Sequence, residues 1–230
     1  MARANFLAST EGFAFTNSWP KQPAVVLDTP FGVVDIGDAS KGLCGGMVFA
    51  ALDYWYADRT APTARPPQGT PLYNFLVARI VDSWHVPAGV AQYFQWMNLP
   101  DADQGFKVLG QTVITQRGLA WRTLVQQWPM VKDDLDADRP SPLGLVTVKS
   151  SRIKDLGLNH QVVAYDYSAK SSVVTLDVYD PNSGQDDGVS ISFDTRAPTK
   201  ATTFTHNVDI SHPIRGFFRT AYAPVGPPTA

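Results

Sequence analysis

The feature that most constrains this chain is a change of hydrophobic period near Pro140. Upstream, apolar residues recur at three- and four-residue steps, as in Met47, Ala50, Ala51, Tyr54 and Trp55, which places them on one face of a helix. Downstream, short apolar runs alternate with polar residues and are separated by Gly, Pro, Asn and Ser, the mark of strands and turns. Helices followed by strands, without βαβ alternation, predict an α+β architecture with segregated layers.

The spacing predicts helices over 71–84, 87–97 and 119–128, the first announced by Thr70, a capping hydroxyl, ahead of Pro71. Strands are predicted over 143–148, 160–167, 173–179, 189–193 and 214–222, forming an antiparallel sheet or small barrel. The chain thus divides into an N-terminal brace of extended segments (1–41), a mainly helical lobe (42–140), a β lobe (141–222) and a flexible tail (223–230), all in one domain.

Composition narrows the function classes. With 44% hydrophobic and 17% charged residues in 230, the chain can build a core and is no disordered segment. A net charge of −2 with scattered lysines and arginines offers no basic field for nucleic acid. No apolar run approaches the roughly 20 residues of a spanning helix, and the N-terminus lacks the form of a secretory signal. The expected location is the cytoplasm, or outside by a route that leaves no such mark.

There is one cysteine, so an internal disulfide or a cysteine-cluster metal site is ruled out. Cys44 lies in GLCGGM, where a glycine-rich turn passes into the first predicted helix. A thiol there meets unpaired N–H groups and the positive end of the helix dipole, conditions that favour a thiolate. Gly45 and Gly46 would clear space for a substrate backbone beside the sulfur. A small buried hydrophobe on a turn is the plainer reading of the same residues, so the partners decide. His160, in NHQVVAY, opens a predicted strand; Asp180, in VYDPNSG, ends the next one. Adjacent antiparallel strands would bring the two to the same end of the sheet, within reach of a hydrogen bond.

Cysteine at the start of a glycine-flanked helix, histidine before a Val-Val strand and Asp-Pro after the following strand resemble the papain-like cysteine peptidases. The resemblance is closest to the C39-like domains that process leader peptides beside bacteriocin exporters and to their stand-alone bacterial relatives. It spans residues 44–184, and the closing RGFFRTAY strand would complete the sheet. It implies a papain-like fold, hydrolysis of amide bonds in a peptide or protein, Cys44 as nucleophile, His160 as general base and Asp180 as orienter. Asn182 is the alternative orienter, since papain uses an asparagine. The family usually holds a glutamine six residues before the cysteine to bind the oxyanion; here Asp38 stands there. Gln68, Gln111 and Gln161 are the candidate replacement donors, and a non-catalytic binding or scaffold domain is the alternative function.

No cofactor or metal is expected. His85, His206 and His212 share no ligand spacing and read as surface or structural residues, and the acidic run 132–138 reads as a solvated helix face. Trp55, Trp84, Trp96, Trp121 and Trp128 read as packing, with Trp96 and Tyr93 as candidates to line a cleft.

Overall fold

The computed structural model describes residues 5–19, 43–85, 88–109 and 111–229, together with the backbone of 25–29 and 32–36. Asp38 lies outside the described residues. The architecture is α+β, with six helices and a curled antiparallel sheet.

The helices are α1 (Ala8–Glu11), α2 (Cys44–Tyr56), α3 (Pro71–Ser83), α4 (Ala88–Met97), α5 (Leu119–Trp121) and α6 (Trp128–Leu135). Helix α3 begins as its sequence dictates: Thr70 Oγ1 accepts the Tyr73 N–H, and Pro71 occupies the first turn, where no donor is needed. Helix α2 departs from expectation. In place of a single buried stripe, every residue from Cys44 to Trp55 is buried, as befits a central helix enclosed on all sides. Gly46 allows this, because a Cβ there would stand 2.1 Å from the Leu76 carbonyl oxygen of α3.

The helix predicted over 119–128 runs on to Leu135, its middle widened into a π-helical stretch (Arg122–Gln127). Pro129 lies at the start of α6. It has no N–H to give, and its ring would collide with a carbonyl of the preceding turn, a conflict that a π-type turn relieves.

A two-stranded ribbon, β1 (Val25–Thr29) and β2 (Gly32–Ile36), forms in the N-terminal segment. The hairpin β3 (Gln104–Val108) and β4 (Gln111–Gln116) was not foreseen: its residues are exposed, so they lack the in–out alternation that betrays a strand.

The main sheet contains β5 (Ser141–Val146), β6 (His160–Lys170), β7 (Val173–Tyr179), β8 (Ser190–Asp194), β9 (Phe204–His206) and β10 (Gly216–Arg219), in the order β10-β5-β6-β7-β8-β9. Only the three-residue β9 is additional to the strands expected here. Phe204 bridges to Ile214, just ahead of β10, so the two edges curl toward one another.

Alternation along the strands then sorts the core in two. Leu143, Leu145, Val162, Ala164, Val174, Leu176, Val178, Ile191, Phe193, Phe204 and Phe217 share one cluster inside the curl. Val146, Val163, Tyr179 and Phe218 point the other way, into the core built by α2, α3 and α4.

The terminal segment does not hang free. Arg59 donates to the carbonyls of Pro227 and Pro228, and Tyr54 to that of Pro228. Val225 N–H and Tyr222 Oη donate to Asp53, whose carboxylate pairs with Arg79 at 2.6 Å. Low complexity in a tail is no sign of looseness when its backbone carbonyls meet buried donors.

Candidate active site

Cys44 is the first residue of α2 and is 8% exposed. At that position its backbone N–H has no acceptor within the helix. His160 opens β6, paired with Leu145 of β5. The β6–β7 register sets Val163 against Tyr179, and carrying it one step further places Asp180 opposite Val162. His160 and Asp180 are therefore diagonal neighbours on one face of the sheet, and their side chains meet: His160 Nε2 lies 2.8 Å from Asp180 Oδ1.

With Nε2 engaged, the other ring nitrogen is left for the cysteine, and Cys44 lies near enough for its charge to bear on the imidazole. Cys44, His160 and Asp180 thus lie together across the boundary between helix and sheet.

Asp180 is 0% exposed. Its Oδ1 also accepts the Asn182 N–H at 2.8 Å, and its carbonyl accepts the Ser183 N–H at 2.9 Å, closing a turn with Pro181 at the second position. The Asn182 side chain turns outward to Asn17, so Asp180, and not Asn182, stands against the imidazole.

Burial works against the Asp180 carboxylate, but the His160 charge, hydrogen bonds from His160 and the Asn182 N–H, and the nearby His206 ring outweigh it and hold its pKa below the ordinary 3.8. Burial likewise works against a charged His160. The Asp180 charge and the interactions with Cys44 prevail, and the imidazole pKa is raised well above 6.5.

Chemistry-bearing neighbours lie where the sequence offered little signal. Asn17, in the N-terminal segment, straps the two halves of the site. Its Oδ1 accepts the Leu43 N–H at 2.7 Å, its Nδ2 donates to Asn182 Oδ1 at 3.2 Å, and its N–H donates to the Pro181 carbonyl at 2.9 Å. The N-terminal segment is thereby built into the site. No local pattern marks such a residue, since its partners come from two distant segments.

Gly45 has a different task from the one expected. A Cβ there would come within 2.3 Å of Ser83 Oγ and 2.8 Å of Gln161 Oε1, so the space beside Cys44 is occupied by α3 and the Gln161 amide. Tyr93 fills out this wall, donating to the His160 carbonyl at 3.4 Å; it is buried behind the histidine, while Trp96 of the same helix borders a surface cleft. Of the three glutamines considered as oxyanion donors, Gln68 and Gln111 are exposed elsewhere and Gln161 alone reaches the surroundings of Cys44.

His206 also departs from expectation. Its backbone is at the surface, but its side chain is 2% exposed, with Nε2 3.2 Å from Asp180 Oδ2. His85, by contrast, is exposed and reaches the Ala221 carbonyl.

No family model, curated protein or solved structure matches the chain. Function therefore has to be argued from these contacts. Among the described residues, no group of three or more His, Cys, Asp or Glu is arranged to hold a metal ion, and no helix is long and apolar enough to cross a membrane.

Proposed function

We propose that the chain is a papain-like cysteine hydrolase that cleaves amide bonds in a peptide or protein, with Cys44 as nucleophile, His160 as general base and acid, and Asp180 as orienter. One observation carries the reading: a single imidazole is hydrogen-bonded to a fully buried carboxylate and lies within electrostatic reach of Cys44 at the start of a helix. That pairing supports an activated nucleophile, in which a base beside the thiol is itself held in one tautomer by a third group.

In this mechanism the free ring nitrogen of His160 takes the Cys44 thiol proton, the sulfur attacks the substrate carbonyl carbon, and the carbonyl oxygen takes up the electron pair. The N–H of Cys44, unpaired at the helix start, is placed to donate to that oxyanion. His160 gives its proton to the leaving nitrogen as the C–N bond breaks, which leaves a thioester on Cys44. Water then attacks the thioester, His160 accepts the water's proton, and the acid departs with the thiol regenerated. Asp180 stays ionised throughout and keeps the Nε2 proton of His160 in place, so that the other nitrogen performs each transfer. The resemblance of the Cys44, His160 and Asp180 motifs to C39-like peptidases favours a peptide or isopeptide substrate.

The acyl intermediate gives a direct test. Mixing the protein with a peptide thioester and recording its intact mass should show one acyl adduct on Cys44. The adduct should vanish in Cys44→Ala and form much more slowly in His160→Ala. No adduct in the wild type, or equal acylation in His160→Ala, would remove the basis for the proposal.

A further inference from the structure

We propose that His206 is a positioning residue that holds the Asp180 carboxylate from inside the curled sheet, extending the chain to Cys44–His160–Asp180–His206; this rests on the hydrolase reading above. The curl supplies the geometry. His160 continues the inward face of Val162 and Ala164, Asp180 that of Leu176 and Val178, and His206 that of Phe204. The apolar interior therefore ends in a layer of three polar side chains.

The tautomer of His206 follows from its partners. Its Nδ1 accepts the backbone N–H of Val208 at 3.2 Å, so that nitrogen carries a lone pair, and in the neutral ring the proton sits on Nε2. Nε2 faces Asp180 Oδ2 at 3.2 Å. The contact falls short of hydrogen-bond geometry, and both atoms are buried with no hydrogen-bond partner among the described residues.

Asp180 thus presents one oxygen to His160 and the Asn182 N–H, and the other to Nε2 of His206. That division fixes the rotation of the carboxylate and keeps Oδ1 aimed at His160. The titratable groups that bear on Asp180 and His160 are Cys44 from α2, Tyr179 from β7 and His206 from β9. Burial raises the Tyr179 pKa and keeps its hydroxyl neutral, so His206 is the group whose proton placement matters.

The wild-type protein provides a first test that needs no variant. Imidazole 15N spectra of the neutral His206 ring should show its proton on Nε2. An Nδ1–H tautomer would overturn the assignment. Variants provide the second test. His206→Phe should slow iodoacetamide labelling of Cys44 at pH 6 by roughly tenfold, the scale of one hydrogen bond to a charged group, and should lower the His160 titration midpoint.

His206→Gln, which can present an amide N–H to Oδ2, should stay within about threefold of wild type. Unchanged labelling and an unchanged His160 midpoint in a folded His206→Phe would refute the proposal. If His206→Phe does not fold, the tautomer decides. Slow wild-type labelling would instead count against the hydrolase reading, and the His160 midpoint would still decide the role of His206.

Discussion

Asp180→Asn is expected to reduce the rate of any reaction at Cys44 by up to about 10⁴, the loss seen when the orienting aspartate of a Ser–His–Asp site becomes an asparagine. The local contacts explain why so small a change should matter. Asp180 accepts from His160 and the Asn182 N–H at Oδ1 and faces His206 at Oδ2. An asparagine that keeps its oxygen toward His160 turns an NH₂ group toward the Nε2–H of His206, donor against donor. One that flips loses the imidazole. Asn182→Ala removes only a neutral bond to Asn17 and should cost no more than about tenfold.

The same substitution should change how stability depends on pH. Asp180, its pKa held below 3.8, contributes stability that is present above 3.8 and lost as pH falls further. His160, its pKa raised, contributes stability that is fully present below 6.5 and fades as pH climbs through the raised value. Asp180→Asn should flatten both limbs in denaturant titrations taken across pH. Reactivity losses with both limbs unchanged would contradict this account of the pair.

The largest loss of stability is expected from Arg79→Met. Arg79 and Asp53 are 4% and 0% exposed in their side chains, and burial already holds the Asp53 pKa above 3.8 despite hydrogen bonds from Val225 and Tyr222 and the charge of Arg79. Removing the guanidinium leaves a buried carboxylate without its counter-charge, at a cost of about 3–5 kcal/mol. The cost should be larger at pH 7 than at pH 4, because a carboxyl with a raised folded pKa loses stability as pH rises past 3.8. Asp53→Asn combined with Arg79→Met should recover part of the loss. Chemical denaturation of the three proteins at both pH values measures this; an Arg79→Met protein as stable as wild type would show that the pair contributes little.

Much of the site and of the fold around it was legible because local chemistry forced it. Thr70-Pro71 could scarcely avoid starting a helix, and the Val-Val and Val-Tyr runs that flank His160 and Asp180 marked strands whose short connection made them partners. What stayed hidden depended on distant contacts. Asn17 acquires its place only when residues 43 and 181–182 converge on it, and His206 turns inward only because the sheet curls until β9 approaches the end of β7. Gly45 and Gly46 could be recognised as necessary, but not what fills the room they leave. The exposed β3–β4 hairpin carries no burial pattern from which it could be inferred.

The central claim is that His160 activates Cys44, and the pH profile of Cys44 alkylation tests it most directly. Cys44 is the chain's single cysteine, so iodoacetamide uptake reports on it alone. The account predicts fast labelling that persists at pH 6, well below the pKa of about 8.5 of an ordinary thiol, and that collapses in His160→Ala. Slow labelling that rises only with ordinary thiol titration, unchanged in His160→Ala, would contradict it and favour a binding scaffold.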